Sequence, residues 1–119
     1  MKFEVVDKRL KSSGTWAKSR KGAIRQSIQK WKSIVKNLET HQYVPDDGQG
    51  DTCSLCNLRR QQDLAPGVCV CPVKDMTHQN GCIGTPYLLY ASAVENHDDA
   101  LRAARAEVLF LEAVYALEK

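Results

Sequence analysis

Apolar residues recur at helical spacing in two long stretches of the chain, and the first stretch covers about residues 15–40. Its apolar positions are Ile24, Ile28, Trp31, Val35 and Leu38, with Ile34 at the edge. Positions 3 or 4 residues apart fall on one face of a helix. Ser13 and Ser19 are both suitable residues to cap its start. The pattern therefore predicts an amphipathic helix over 15–40.

The second periodic stretch lies at the C-terminal side and predicts helices over 86–118. Thr85 and Pro86 suit a helix start, and Asn96 or Asp98 suits the start of the last helix. In that helix the apolar positions are Leu101, Ala104, Val108, Leu111 and Tyr115. This spacing extends over too few turns for a long coiled coil, so we expect its face to pack within the chain rather than against a second copy.

No period continues between these stretches. Residues 45–52 have the composition of a loop, and 53–85 contain several prolines and glycines. Residues 1–14 predict an irregular start or a weak strand. The expected fold is a single, mainly α domain, in which amphipathic helices flank an irregular four-cysteine zinc knuckle over 53–85, with little or no sheet.

The bulk composition is that of one globular domain, with 119 residues, 43% of them hydrophobic and 26% charged. Neither a membrane span nor a signal segment is visible, so we expect a cytoplasmic protein whose thiols stay reduced. The net charge of +3 is divided unevenly. Residues 1–40 carry eleven Lys or Arg and three acidic residues, which gives +8, and the remainder carries −5. This asymmetry predicts an anionic partner at one end or attraction between the two ends.

All five cysteines lie between Cys53 and Cys82, and their clustering in a reducing compartment indicates a metal site. The C-x2-C spacing of Cys53 and Cys56 brings two thiolates to one ion, and Zn²⁺ takes four ligands tetrahedrally. The predicted ligands of a structural zinc are Cys53, Cys56, Cys71 and Cys82. Cys69 is the expected spare thiol, and His78 is an alternative ligand. A redox pair, an iron–sulfur cluster, another thiophilic metal and plain core thiols remain open alternatives.

The segments "CSLC", "CPV" and "GCIGTPY" carry a family resemblance, together with the flanking "KWKSIV" and "AEVLFLE". Across roughly residues 22–115 the chain resembles small cysteine-rich proteins of tailed phages and prophages. Members of that group often carry a cysteine three residues before the one that precedes proline, whereas here Cys69 is two residues before Cys71. The resemblance implies a phage origin, a metal site that includes Cys71 and a location in the host cytoplasm, but no particular activity.

A row of cations on the first predicted helix is the other candidate site. Its members, which fall within about 60° of helical projection, are Lys18, Lys21, Arg25, Lys32 and Lys36. Such a row either binds phosphates or is a solvated flank. We expect a non-enzymatic accessory protein that binds a host macromolecule, whether protein or nucleic acid, for host takeover or against host defence. The alternatives are a nucleic-acid-binding zinc module and a protein that sequesters a phosphorylated nucleotide defence signal, for which a homodimer with a shared basic pocket is expected. No catalytic triad, carboxylate pair or open metal position favours an enzyme.

Overall fold

Four helices and one β-hairpin form the part of the chain that the structure, a computed structural model, describes. The described residues are 1–48, 52–61, 85–93 and 95–118. In chain order the elements are β1 (Lys2–Val6), β2 (Arg9–Ser13), α1 (Arg20–Thr40), α2 (Ser54–Gln61), α3 (Tyr87–Ser92) and α4 (His97–Leu117). The prediction of a mainly helical chain is confirmed, and the hairpin adds a small two-stranded sheet. No helix in these ranges has the length and apolar character that a bilayer span requires.

The N-terminal hairpin is ordered where an irregular start or a weak strand was predicted. β1 and β2 are antiparallel, and their register places Val6 opposite Arg9. Asp7 and Lys8 between them have φ values of 53° and 62°. Two consecutive positive φ values are the mark of the type I′ turn, whose twist matches that of the strands. The turn explains how a short alternation of side chains still yields a defined hairpin.

One face of the hairpin packs on the core, and the edge of β2 forms hydrogen bonds with a loop. Phe3 and Leu10 point inward and are buried. The N–H of Leu10 donates to the Asp46 carbonyl at 2.8 Å, and the N–H of Asp46 donates to the Lys8 carbonyl at 2.9 Å. The loop after α1 therefore pairs with the edge of β2.

Helix α1 begins at Arg20, later than the predicted start near residue 15. Ser19 is its N-cap, and the Ser19 hydroxyl accepts the Gly22 N–H at 3.1 Å. The residues before Ser19 do not join the helix because Gln26 binds them from its side: the Gln26 carboxamide bonds the Ala17 N–H and the Thr15 carbonyl at 2.9 and 3.0 Å.

α1 and α4 run antiparallel and pack against each other within the chain. Two ion pairs join them: Arg20 at the start of α1 lies 2.7 Å from Glu118, and Glu39 near the end of α1 lies 3.3 Å from Arg105 in the middle of α4. The buried face of α4 is rotated from the predicted one. Its buried residues are Ala100, Ala103, Ala104, Glu107, Leu111 and Val114. Three small alanine side chains allow α4 to approach its neighbours closely, which leaves the bulkier stripe half-buried at the margin.

α3 closes the core around Trp31, which is buried as its position on the apolar face predicts. The rings of Tyr87 and Tyr90 meet Trp31 edge-on, with centroids 5.7 and 5.0 Å away. The Tyr90 hydroxyl donates to the Pro45 carbonyl at 2.5 Å. Pro86, rather than the threonine before it, takes the N-cap position of this short helix.

Candidate metal centre

The Cys53 and Cys56 pair lies at the start of helix α2, not in the irregular turn that the sequence predicted. The Cys53 carbonyl accepts the Asn57 N–H at 3.0 Å, which is the first bond of the helix. The Cys53 Sγ accepts the Cys56 N–H at 3.4 Å. A sulfur atom therefore takes the N-cap role that an oxygen usually fills. A backbone N–H group directed at a thiolate suits a metal site, and we call the pair of Cys53 and Cys56 the thiol hook.

Electrostatics at the hook favour the thiolate form of Cys53. A hydrogen bond from the Cys56 side chain is the largest influence and lowers the pKa of the Cys53 thiol to about 6. Burial opposes this decrease, whereas the Lys30 ammonium and the N–H groups of Cys56 and Leu55 add to it. Because the thiolate is the form that binds metal ions, Cys53 is prepared for ligation near neutral pH.

The hook is held firmly on α1. Ser54, directly after Cys53, is 0% exposed, and its hydroxyl donates to the Gln26 Oε1 at 2.6 Å. Leu55 and Leu58 of α2 are buried in the core. The two cysteines therefore lie at the start of a short helix whose position is set by apolar packing and by one partly buried hydrogen bond.

Three ionisable residues, Lys30, Asp47 and Glu107, are buried in the interior, and we call them the interior charged cluster. The Lys30 Nζ lies 3.4 Å from the Asp47 Oδ2, with side chains that are 3% and 9% exposed. Sequence reasoning missed this cluster. One signal was present, because Lys30 continues the 4, 3, 4 spacing of Ala23, Ser27 and Ile34, all of which are buried.

Glu107 is the second acid of the cluster and extends from α4. It is 4% exposed, and one carboxylate oxygen, Oε2, has no hydrogen-bond partner among the described residues. Burial is the main cause that raises the pKa of Glu107 to about 7, and the charge of Cys53 raises it further. A backbone hydrogen bond from Tyr87 and the charge of Lys30 act in the opposite direction. Burial of the carboxyl is therefore the main reason why Glu107 resists ionisation, and a charge on Cys53 adds to it.

The remaining predicted ligands, Cys71 and Cys82, lie outside the described residues, as do Cys69 and His78. Within the described ranges no three His, Cys, Asp or Glu side chains converge on one point. Cys53 and Cys56 would thus supply two of the four ligands. Their chemistry fits a thiophilic ion, because one sulfur is stabilised as a thiolate and both lie on a single helical turn.

The predicted cation row lies on the surface, with one member before α1 and four members on the helix. Lys18 lies before α1, while Lys21, Arg25, Lys32 and Lys36 are exposed along the helix. A pair of them meets one aromatic ring: the Lys21 Nζ and the Arg25 Cζ lie 5.0 and 5.9 Å from the centroid of Tyr115. The Arg25 Nη2 also donates to the Tyr115 hydroxyl at 3.1 Å.

Further along α1, Lys32 borders a groove of about 470 Å³ between α1 and α4. The other lining residues are Val35, Glu39, Arg105, Val108 and Leu109. The floor of the groove is apolar, and its rim carries both signs of charge. The four helical cations therefore share one face of α1 but have different neighbours, the Tyr115 ring beside Lys21 and Arg25 and the groove beside Lys32.

Comparisons of the chain with protein-family models, with curated proteins and with solved structures find no match.

Proposed function

We propose that the chain is a small non-enzymatic binding protein whose fold is completed by one structural zinc ion. Cys53, Cys56, Cys71 and Cys82 would hold the ion. The observation that supports this most is the hook itself, in which the Cys53 Sγ accepts the Cys56 N–H at 3.4 Å and the pKa of the thiol is lowered to about 6. Four thiolates leave no open position on the ion, so the zinc would stabilise the fold and perform no chemistry.

A pair of cysteines at a helix start also suits thiol–disulfide exchange, so the test must separate the two functions. We would purify the protein under reducing conditions and measure zinc per chain by elemental analysis. Cys53→Ser and Cys56→Ser should each lose the metal, whereas Cys69→Ser, the matched control, should retain it. A metal-free wild-type protein that keeps its secondary structure in strong chelator would contradict the zinc proposal. A Cys53–Cys56 disulfide in peptide mass spectra would support the redox alternative.

The partner we propose is a host macromolecule, since the resemblance implies a phage protein that acts in the host cytoplasm. The surface offers contact points of the apolar kind that partner interfaces use. Leu89, Leu109 and Leu117 are each more than half exposed. Affinity capture with zinc-loaded protein, compared with a Leu109→Glu variant, should recover a host component only with the wild-type surface. Recovery of the same components by both proteins would exclude the Leu109 surface from binding.

Nucleic-acid binding is the second candidate, favoured by the four exposed cations on one face of α1. Lys21 and Lys36 are separated by about 22 Å at the rise of an α-helix, which is enough to reach several phosphates. The triple variant Lys21→Ala/Arg25→Ala/Lys32→Ala should weaken binding, and the affinity should decrease steeply as salt rises. The matched control is Lys2→Ala/Arg9→Ala/Lys11→Ala on the hairpin, which removes equal charge.

Absence of any DNA or RNA binding at low salt would exclude this candidate. If a free nucleotide raises the melting temperature instead, the same cations would serve the third hypothesis, sequestration of a phosphorylated signal.

A further inference from the structure

The face of α4 that points away from the core carries one large apolar side chain among charged and small ones. Leu109 is 69% exposed and lies at the edge of the groove between α1 and α4. At about 100° per residue, the other members of this face fall within about 60° of Leu109 in helical projection. All of them are exposed, and in chain order they are Arg102, Arg105, Glu112, Ala113 and Ala116. We call these six residues the outer face of α4.

The groove beside the outer face is apolar at its floor. Val35 of α1 and Val108 of α4 are half-buried and line it together with Leu109. A cleft between two packed helices is the shape that accepts side chains from a further helix, as in helix bundles. One molecule therefore offers both an exposed leucine and an apolar cleft, which is the combination that an isologous contact between two copies requires.

The charges of the outer face are divided between its two ends. Arg102 and Arg105 precede Leu109, whereas Glu112 and the two alanines follow it. A two-fold axis through Leu109 makes the two α4 helices antiparallel, so the basic end of one copy faces the acidic end of the other. Because Arg105 lies four residues before Leu109 and Glu112 three residues after it, these two side chains meet across the axis twice.

Both members of this contact are able to take part in it. Among the described residues Glu112 forms no ion pair with its own chain. Arg105 lies 3.3 Å from Glu39, but a guanidinium has five N–H donors and bonds a second carboxylate without giving up the first. The charge order therefore suits a second copy better than a partner of one sign, which would place like charges against Arg105 or against Glu112.

We propose that the outer face of α4 is the interface of a symmetric homodimer. Leu109 of each copy packs into the groove of the other, and Arg105 pairs with Glu112 of the other copy. The two α1 and two α4 helices then form one bundle. Since each copy contributes a single large apolar side chain, we expect a dimer that dissociates on dilution. The inference goes beyond the proposed function, and Leu89 and Leu117 lie outside this face, where they remain exposed to a host partner.

The first test is sedimentation equilibrium of the pure, full-length protein over a range of concentrations. The wild type should approach twice the 13.3 kDa of one chain as its concentration rises. Leu109→Glu should remain monomeric, because it places a carboxylate in each apolar groove. The matched control is Leu117→Glu, a leucine that is 70% exposed on the same helix and about 80° away in projection. It should dimerise like the wild type, and circular dichroism checks that both variants are folded.

A charge exchange tests the two-fold arrangement itself. Arg105→Glu opposes carboxylates across the axis, and Glu112→Arg opposes guanidinium groups. Each variant alone should therefore raise the dissociation constant of the dimer more than about 10-fold. Mixing the two variants should restore the dimer, because both contacts of the mixed pair then join opposite charges. An effect of these residues within one chain does not produce this recovery.

Three results would overturn the inference. A wild type that stays monomeric up to its solubility limit shows that no second copy covers Leu109. A wild-type dimer that persists in Leu109→Glu lies at another interface. A mixture of the two charge variants that stays monomeric contradicts the antiparallel contact. Because all three measurements use pure protein without a host component, the zinc and host-binding proposals are decided by their own experiments.

Discussion

Lys30 and Lys32 are two residues apart on the same helix and lie in opposite environments. Lys30 is buried beside Asp47 and Trp31, whereas Lys32 lies at the rim of a surface groove. Removing the inner lysine would leave the buried Asp47 carboxylate without its compensating charge. The outer lysine is surrounded by water and salt, which weaken every interaction it makes. The comparison shows that a cation contributes to this fold through its burial and partners, not through its residue type.

The largest expected effect follows from removing the inner lysine. Lys30→Ala leaves the buried Asp47 carboxylate without its ion pair, and breaking such a pair costs about 3–5 kcal/mol of unfolding free energy. Lys32→Ala should change the unfolding free energy by less than about 0.5 kcal/mol. Urea unfolding of both variants in the same buffer checks this. Equal losses in the two variants would show that burial does not separate these lysines.

The next effect concerns Glu107 and depends on pH. Its pKa is raised from 4.5 to about 7, so between these values the folded protein binds more protons at this site than the unfolded chain does. The unfolding free energy of the protein therefore falls as pH rises from 4.5 to about 7, because ionising the buried Glu107 carboxyl destabilises the folded state. This loss of stability is complete above about pH 7. Glu107→Gln, which stays neutral, should be more stable than wild type at pH 8 by about 3 kcal/mol.

At pH 4, where the carboxyl is protonated in both states, this advantage should disappear. Urea unfolding across the pH range provides the measurement, and the difference between the two curves removes the pH dependence of other groups. A variant that is less stable than wild type at pH 8 would mean that the Glu107 carboxylate is compensated in the interior.

A smaller effect is expected at Gln26, which joins the hook to α1. Gln26→Ala removes the bonds to Ser54, Ala17 and Thr15 and should cost about 2 kcal/mol of unfolding free energy. It should also speed zinc release to a chelator, because the hook loses its polar anchor. The control is Gln29→Ala, an exposed glutamine on the same helix. If both variants release zinc at the wild-type rate, apolar packing alone positions α2.

The smallest effect is expected on the exposed side of the molecule. Tyr115→Phe removes the hydroxyl that accepts from Arg25 at 3.1 Å, yet the guanidinium is solvated. A double-mutant cycle with Arg25→Ala should give only a weak coupling, and the coupling should diminish in salt. A larger, salt-insensitive coupling would place this pair with the buried groups.

The parts of the fold that follow from local rules could be predicted from the sequence. Ser19 and Asn96 cap the helices as their side chains suggest, and Trp31 is buried where the apolar spacing places it. Helix α2 was not predicted, because eight residues with few apolar side chains give no clear period. It forms through a local sulfur cap and through a bond to Gln26, and the second of these is a tertiary contact that local sequence does not reveal.

The interior charged cluster was missed for a related reason. A lysine or a glutamate in a helix indicates a solvated position unless its partner is known. The partner of Lys30 comes from Asp47, in a loop beyond the end of α1, and Glu107 is buried by α1 and α3, far from it in sequence. Cys53 and Cys56 could be identified as candidate ligands from spacing alone, whereas their electrostatic surroundings depend on these distant contacts.

The turn at Asp7 and Lys8 offers a way to engineer the protein. Both residues hold positive φ values that asparagine and glycine adopt more easily. Asp7→Asn with Lys8→Gly would relieve this backbone strain, although the glycine gives up the contact between Lys8 and the Tyr43 ring. A more stable hairpin would give a more stable parent protein, in which destabilising substitutions elsewhere could be studied without loss of the fold.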